Sequence, residues 1–245
     1  MAEAFVRFED VHKAFGAKQV LRGVSFDIRR GETMVVLGGS GSGKSVLIRH
    51  IIGLHRPDSG RVWVDGDSIE ELDEDSLIPV RKKVAMLFQS GALFDSMDVS
   101  ENVAYGLREH TDLEEERIRA IVRAKLALVG LESVEHLMPA ELSGGMRKRV
   151  ALARSISMDP QCILYDEPTT GLDPVTAHTI NDLIRDLQAR LEVTSVVVTH
   201  DIQSAFYVGD RIGYLHEGQM DFVGTVDEAR GSTRARLRHF LSGGA

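Results

Sequence analysis

Residues 38–45, GGSGSGKS, constrain the possible fold of this chain more than any other segment. An apolar, β-branched run at residues 33–37 precedes this segment, and apolar residues at helical spacing follow it from Val46 onward. The order strand, glycine-rich loop, helix is the context in which a G-x-x-x-x-G-K-[ST] match indicates a phosphate-binding P-loop. A flexible linker is the alternative, but linkers do not end in Gly-Lys-Ser at the start of an apolar helix. The sequence therefore predicts a nucleoside triphosphate site.

Each part of this loop has a predicted role. The glycines let the backbone curl so that consecutive N–H groups point inward, and these amides form an anion cradle with the N-terminus of the following helix. Lys44 is expected to reach the β- and γ-phosphates, and the Ser45 hydroxyl is expected to ligate Mg²⁺. The predicted nucleotide-binding residues of this segment are Gly38, Gly39, Ser40, Gly41, Ser42, Gly43, Lys44, Ser45 and Val46.

Composition narrows the class of protein. The 245 residues are 43% hydrophobic and 27% charged, as in ordinary globular proteins, and the net charge of -8 argues against a general nucleic-acid binder. The first residues lack the features of a signal peptide, and no stretch is long and apolar enough to span a membrane. We therefore expect a soluble, cytoplasmic protein, for which any membrane role would require a separate partner chain. Cys162, in an apolar run, is expected to be a buried thiol.

The pattern along the chain predicts an α/β fold, with a parallel-sheet core, an N-terminal antiparallel β subdomain and an inserted α-helical subdomain. Residues 1–245 are predicted to form a single domain, in which 1–89 and 160–245 make the core with its β subdomain and 90–159 make the helical part. Thr111 and Glu114 suggest a capping box before an amphipathic helix. The other predicted elements are short strands up to about residue 28, strands at 61–65, 84–88, 162–165 and 195–199, helices from Ser143 and Asp173, a hairpin at 211–223, and a final helix ending near Leu241.

Polar residues follow three of the predicted buried strands. Asp166 and Glu167 come directly after residues 162–165, and ligands bind at the carboxyl end of strands in such sheets. We expect Asp166 to hold Mg²⁺ through water and Glu167 to act as the general base, although two acids could also mark a turn. His200 is expected to contact the γ-phosphate, and Gln89 to contact Mg²⁺ or the attacking water.

Residues 142–146, LSGGM, resemble the signature of ABC transporter ATPases, which is usually LSGGQ. With the P-loop and the polar residues above in the family's order, the resemblance covers essentially the whole chain and implies the P-loop NTPase (RecA-like) fold. It also implies that the ligand is ATP with Mg²⁺. Phe15 falls where the family places an aromatic residue, usually Tyr, that stacks on adenine. A core aromatic is the alternative for Phe15.

The resemblance also implies a symmetric dimer. Ser143, Gly144 and Gly145 begin a predicted helix, which makes a second anion site. In the family, these residues of a second copy close the open face of the γ-phosphate, so that two ATP molecules lie between two head-to-tail subunits. Asp173 would cross this interface and couple the two sites. It could equally be the N-cap residue before Pro174, and the two roles are compatible.

Within this family the chain is most similar to the MlaF-type subunits of Mla/Mce lipid-transport systems. The similar stretches are residues 80–111, 137–156 and 165–176. Met146 departs from the general signature but agrees with this subgroup. The resemblance implies an ATPase at the cytoplasmic face of the inner membrane, powering phospholipid transport that maintains outer-membrane lipid asymmetry.

The subgroup also implies partners: an MlaE-like permease and an MCE-domain lipid-binding protein, with a small accessory subunit left open. The implied docking site for the permease is an apolar segment, for which core packing is the alternative: Ala92, Leu93, Phe94 and Met97. An ABC ATPase for another cargo shares every catalytic residue and stays open. A soluble ABC ATPase acting on nucleic acid or ribosomes is disfavoured by the acidic charge, so no nucleic acid partner is expected.

Overall fold

The computed structural model describes residues 3–243. The strands in this range are β1 (Ala4–Phe15), β2 (Lys18–Arg29), β3 (Thr33–Leu37), β4 (Ser59–Val64), β5 (Asp67–Ser68), β6 (Val84–Leu87), β7 (Cys162–Asp166), β8 (Thr194–Thr199), β9 (Arg211–His216) and β10 (Gln219–Thr225). The helices are α1 (Lys44–Ile51), α2 (Glu74–Lys83), α3 (Val99–His110), α4 (Glu115–Leu128), α5 (Gly144–Ser155), α6 (Pro174–Leu191), α7 (Ile202–Val208), α8 (Val226–Arg230) and α9 (Ala235–Leu241).

The strands form two sheets. An antiparallel sheet has the order β2-β1-β4-β5, and a central sheet has the order β10-β9-β3-β8-β7-β6. In the central sheet, β9, β3, β8, β7 and β6 are parallel, and only the edge strand β10 pairs antiparallel with its neighbour β9. The predicted α/β class with a parallel core and an antiparallel N-terminal sheet is therefore confirmed.

The core lies on both faces of the central sheet. Successive side chains of β3 point to opposite faces, so Met34 and Val36 pack with α1 and the antiparallel sheet, whereas Val35 and Leu37 pack with the helices of the other face. All four side chains are fully buried. This two-sided burial explains why the parallel strands are continuous apolar runs in the sequence instead of alternating ones. Cys162, at the start of β7, is also fully buried, as predicted.

The strand order brings together segments that are far apart in the sequence. Strand β8 lies between β3 and β7, and β7 pairs with β6. The glycine-rich loop follows β3, Asp166 ends β7, and Gln89 and His200 come shortly after β6 and β8. Because these strands are parallel, their carboxyl ends meet at one edge of the sheet.

Two details of the local prediction are wrong. The N-terminal region is not a set of short strands, because β1 and β2 each have 12 residues and form one long hairpin. The capping box is not at Thr111 and Glu114: the Thr111 hydroxyl donates to the carbonyl of Leu107 and so ends α3. Helix α4 begins without a side-chain cap. The capping box is formed instead by Asp98 and Glu101 at the start of α3.

The remaining predicted elements agree with the structure in place and type. Helix α5 starts directly after Ser143, α6 starts at Pro174, and β9 and β10 turn at Glu217 and Gly218. Helices α3, α4 and α5 contact one another within the segment predicted as the helical subdomain. Among residues 3–243, no helix has the length and apolar character that crossing a membrane requires.

Candidate active site

A cavity of about 420 Å³ lies at the carboxyl edge of the central sheet. It brings the glycine-rich loop together with Gln89, Glu167 and His200, four features that sequence reasoning took from separate parts of the chain. The residues that line the cavity are Lys18, Val20, Ser40, Gly41, Gly43, Lys44, Ser45, Val46, Gln89, Glu167, Thr170 and His200.

The loop geometry requires glycine at two positions. A side chain at Gly38 would place its Cβ only 2.4 Å from the carbonyl oxygen of Leu215, so no other residue fits there. Gly43, the N-cap residue of α1, has φ 107°, which is open to glycine and strained for other residues. The chain therefore passes tightly from β3 into α1, with the N-terminal amides of α1 facing the cavity.

Lys44 is held at the floor of this cavity. Its side chain is only 5% exposed, and Nζ donates to the carbonyl oxygens of Gly38 and Gly39 at 2.9 and 3.1 Å. These bonds fix the ammonium group at the turn of the loop, where a phosphate group would meet it. The position agrees with the predicted phosphate contact of Lys44.

Ser45 and Asp166 form the candidate Mg²⁺ site. The Ser45 hydroxyl donates to Oδ1 of Asp166 at 2.6 Å, which leaves the lone pairs of the hydroxyl oxygen free for a metal ion. Asp166 is buried, and Arg49 lies 3.7 Å from its Oδ2. Within residues 3–243 no group of three or more His, Cys, Asp or Glu side chains could hold a metal. The two donors present, the Ser45 hydroxyl and the Asp166 carboxylate, suit Mg²⁺, because this ion takes one or two protein ligands and completes its shell with phosphate oxygens and water.

The side chain of Glu167 contacts three other side chains near the phosphate loop. Lys44 Nζ lies 3.3 Å from Oε1, His200 Nδ1 lies 2.8 Å from Oε2, and the Thr170 hydroxyl donates to Oε2 at 3.1 Å. Glu167 has φ 49°, a left-handed conformation that turns the chain directly after β7 and directs the side chain into the cavity. The carboxylate is thus fixed by three neighbours beside the phosphate loop.

Gln89 joins the site from the end of β6. Its side chain lines the cavity, and its backbone carbonyl accepts a hydrogen bond from Lys148 Nζ. Sequence reasoning missed Lys148, Thr170 and Lys18. Thr170 could have been considered, because it follows the two carboxylates closely, whereas Lys148 is 59 residues from Gln89 and leaves no local pattern.

Phe15 lies near the cavity and not in the core. It is 45% exposed and pairs across the β1–β2 hairpin with Lys18, which lines the cavity. The edge of its ring meets His55, with the centroids 5.2 Å apart, and Lys13 Nζ lies 5.5 Å from its centroid. An exposed ring at this place is available for stacking on a nucleotide base.

The signature residues and Asp173 lie outside this cavity. Ser143 is the N-cap residue of α5 and its hydroxyl accepts from the Met146 amide at 3.2 Å, so Gly144 and Gly145 form the first turn. Asp173 accepts from the amides at the start of α6, and its hydrogen bonds with Thr176 lower the pKa of its carboxyl group. The Asp173 carboxylate therefore caps α6, as the sequence suggested.

A P-loop that opens a helix after the parallel strand β3, with a carboxylate pair at the end of β7, two strands away in the same sheet, defines the class of P-loop NTPases. Comparison with known proteins gives the family. Residues 21–170 match the family model described as ABC transporter. The chain belongs to the ABC transporter family, as an ATPase cassette whose nucleotide is ATP with Mg²⁺.

Individual relatives agree over almost the whole chain. The Escherichia coli K12 intermembrane phospholipid transport system ATP-binding protein MlaF is 40% identical over 97% of this chain and 88% of its own length. The Mycobacterium tuberculosis H37Rv probable ribonucleotide transport ATP-binding protein mkl is 44% identical over 94% of this chain, which spans 64% of that protein's length.

A solved structure agrees with the fold over most of the chain. The dimeric post-hydrolysis state of the ATP-binding cassette MJ0796, bound to ADP and Pi, has a TM-score of 0.83 and 34% identity, and the match covers 90% of this chain and 98% of that one.

Proposed function

We propose that this chain is the ATPase subunit that powers phospholipid transport across a bacterial inner membrane. The observation that carries the ATPase chemistry is the contact of Glu167 with both Lys44 and His200 in the cavity beside the phosphate loop. The phospholipid cargo is supported by the similarity to MlaF, which extends over 97% of this chain.

The proposed reaction uses the geometry of the cavity directly. The loop amides and Lys44 hold the β- and γ-phosphates, and Mg²⁺, when bound at Ser45 and Asp166, neutralises part of the phosphate charge. Glu167 takes a proton from the water that attacks the γ-phosphate. His200 holds the Glu167 carboxylate and contacts the γ-phosphate, while the Gln89 side chain orients the attacking water or would help to hold Mg²⁺.

The proposal includes a head-to-tail dimer of this chain. The signature residues do not line the cavity of their own subunit, which supports a role in closing the γ-phosphate site of a second copy. Val175, beside the interface candidate Asp173, is 78% exposed although apolar, which fits a surface that a second copy covers. The related cassette MJ0796 is described as a dimer bound to ADP and Pi.

The proposed permease contact is the segment after Gln89. Phe94 is 40% exposed, its ring lies 4.8 Å from that of Tyr105, and Arg154 lies 5.6 Å above it. Ala92 is also exposed, whereas Leu93 and Met97 are half-buried. Two exposed aromatic rings beside the segment that carries Gln89 could receive an apolar helix end of a permease. Movement there would reach the catalytic site through Gln89.

The proposed partners are an MlaE-like permease and an MCE-domain lipid-binding protein, with a small accessory subunit as a third component. The subunit would lie at the cytoplasmic face of the inner membrane through the permease. Another cargo is the second candidate, because the relative from M. tuberculosis is named as a probable ribonucleotide transport protein.

The test is purification of the tagged subunit from its own host in mild detergent, followed by mass spectrometry of the bound proteins and lipids. The purified complex is then placed in liposomes that contain fluorescent phospholipid, and lipid movement and ATP hydrolysis are measured together. A complex containing Glu167→Gln serves as the control, since it should assemble without hydrolysing ATP.

The outcomes separate the two cargoes. Recovery of a permease, an MCE-domain protein and phospholipid, with ATP-dependent lipid movement, would support lipid transport. A permease that co-purifies with a soluble solute-binding protein, and ATP-driven movement of ribonucleotide but not lipid, would contradict it. Loss of all membrane partners would contradict a transport role, although the ATPase chemistry would stand.

A further inference from the structure

A buried cation from α5 contacts the segment that carries Gln89. Lys148 is 6% exposed, and its Nζ donates to the backbone carbonyl of Gln89. Burial lowers the pKa of Lys148, and the nearby carboxylates of Asp166 and Glu167 counteract that effect in part. Lys148 thus lies close to the candidate metal ligand and the candidate base while it holds the residue that completes the site.

A second cation of α5 holds the same segment further along. Arg154 donates to the carbonyl oxygens of Gly91 and Ala92 at 3.0 and 2.8 Å. Gly91 and Ala92 have φ 80° and φ 49°, so two successive residues adopt the left-handed conformation. Three carbonyl groups of the segment therefore accept hydrogen bonds from one helix, in a backbone shape that costs free energy at Ala92.

Within one subunit, these hydrogen bonds connect the signature helix α5 to the segment that carries Gln89. Helix α5 begins with the signature residues, which are proposed to meet the ATP of a second copy. Gln89 lines the subunit's own phosphate cavity. The bond from Lys148 to Gln89 is a direct contact between these regions, and hydrogen bonds from a charged donor are stronger than neutral ones.

We propose that Lys148 is a positioning residue for Gln89, which it holds in the site and links to the position of the signature helix. This inference rests on the proposed function, because it gives Gln89 its role in hydrolysis. Lys148 acts through the Gln89 backbone and does not touch the nucleotide. Its loss should let the Gln89 segment move while the P-loop stays intact.

The test compares Lys148→Met, which keeps chain length but removes the donor, with Lys148→Arg, which keeps a charged donor. Arg149→Met is the matched control, because Arg149 also lies on α5 and donates to a loop carbonyl, that of Gly130 at 2.9 Å, away from the cavity. The measurements are kcat, KM for ATP, the Mg²⁺ concentration for half-maximal rate, the affinity for a fluorescent ATP analogue, and hydrogen exchange of residues 88–98.

In Lys148→Met we expect kcat to fall about tenfold, which matches the loss of one charge-assisted hydrogen bond. The Mg²⁺ requirement should rise and exchange at residues 88–98 should accelerate, whereas nucleotide affinity should stay within about twofold of wild type, since the P-loop is untouched. Lys148→Arg should recover part of kcat, and Arg149→Met should match wild type in all these measurements.

Three results would overturn the inference. One is an unchanged kcat and exchange rate in Lys148→Met. Another is a loss of kcat equal in Lys148→Met and Arg149→Met, since this would indicate a general effect of cations on α5. The third applies if Lys148→Met does not fold: a Lys148→Ala variant, which also lacks the donor, with the kcat and exchange rates of wild type. Wild-type protein that does not hydrolyse ATP would instead contradict the proposed function.

Discussion

At the scale of single residues, the candidate site depends on one carboxylate with three partners. Glu167 meets Lys44, His200 and Thr170 within 3.3 Å, although these residues come from different segments of the chain. The proposed role of Glu167 as general base requires a fixed position, because proton transfer needs hydrogen-bond reach to the attacking water. Substitution of Glu167 therefore tests the proposed hydrolysis chemistry directly.

Glu167→Gln should leave ATP binding within about twofold of wild type and reduce hydrolysis by about two orders of magnitude or more, because the amide cannot accept the proton. Phosphate release and binding of a fluorescent ATP analogue measure the two effects separately. Glu217→Gln is the matched control, since Glu217 also has a left-handed backbone, φ 47°, but lies in the β9–β10 turn. Near-normal hydrolysis by Glu167→Gln would exclude Glu167 as the base.

His50 gives a second prediction at this scale, on stability. It is fully buried in α1, its Nδ1 contacts the Val46 carbonyl at 2.7 Å, and its Nε2 has no hydrogen-bond partner within residues 3–243. Burial lowers its pKa from 6.5 to about 4, against the hydrogen bond to the Val46 carbonyl, which raises it; His55 and Lys13 lower it further and Asp58 opposes them. A proton on Nε2 would be buried without an acceptor.

The folded chain therefore resists this proton between pH 6.5 and about 4, whereas the unfolded chain binds it. The free energy of unfolding should consequently fall as the pH drops through this window, by about 3 kcal/mol from His50 alone. Urea unfolding at pH 7.5, 6 and 5 measures the slope. His50→Gln should flatten it and His136→Gln, at an exposed position, should not. An unchanged slope in His50→Gln would contradict the assignment.

At the scale of elements, the sequence predicted the segments that can be recognised from a few adjacent residues. The P-loop, the N-cap Ser143 and the turn at Glu217 and Gly218 each follow from neighbouring residues. Helix α2 could not be predicted in this way, because Pro79 lies inside it. The Thr111–Glu114 capping box was wrong because the same residue pattern can end a helix as well as begin one, and the packing of α3 decides which occurs.

One buried side chain on α3 holds the backbone of the segment after β6, and the residues around it in the sequence do not indicate this role. Asn102 is fully buried on α3, and its Oδ1 accepts from the Phe94 amide at 2.8 Å. Its Nδ2 donates to the carbonyl oxygens of Phe94, Met97 and Asp98 at 3.0 to 3.1 Å. The side-chain amide therefore contacts four backbone groups at the proposed permease contact, and its two N–H hydrogens are shared among three carbonyl oxygens. Sequence alone did not indicate that this residue fixes the segment.

Asn102→Ala should weaken permease binding without abolishing ATP binding, because the Phe94 amide and the Met97 carbonyl lose their contact with the side chain, at a cost of about 2 kcal/mol of local stability. The measurements are the yield of co-purified permease and hydrogen exchange at residues 94–98. Asn181→Ala is the control, since Asn181 is also buried and bonds Ser204, on α6 and α7. If the permease yield and exchange match wild type, Asn102 does not hold the contact.

At the scale of the whole molecule, the sequence predicted the parallel core well because two-sided burial produces continuous apolar strands. It also predicted that Asp166 and Gln89 lie at the carboxyl ends of two such strands, and the structure has Asp166 at the end of β7 and Gln89 two residues after β6. Contacts such as Lys148 with Gln89 depend on how the helices of the α3–α5 segment pack against the sheet, which no local pattern encodes. The contact between two copies of the chain is harder still to predict from the sequence, and a separate experiment tests it.

The proposed head-to-tail dimer predicts that a single methyl group at the signature will weaken assembly. A Cβ at Gly144 meets nothing closer than Leu172 Cδ2 at 3.8 Å, so alanine fits within the subunit, whereas a Cβ at Gly145 would lie 2.6 Å from Thr176 Cγ2. Gly144→Ala should therefore fold normally and even favour the helix slightly. In a dimer, however, the methyl group would face the partner's ATP.

In a Glu167→Gln background, ATP should drive dimer formation, and adding Gly144→Ala should weaken it by about tenfold or more, because a methyl group at a close-packed phosphate contact cannot be accommodated without a shift. Sedimentation at several protein concentrations measures the dimer constant, and ATP analogue binding and melting temperature verify the monomer. Gly106→Ala is the matched control, since Gly106 lies in α3 and its Cβ would be 3.4 Å from Met158. Equal dimer constants in the two variants would mean that Gly144 does not face a second copy.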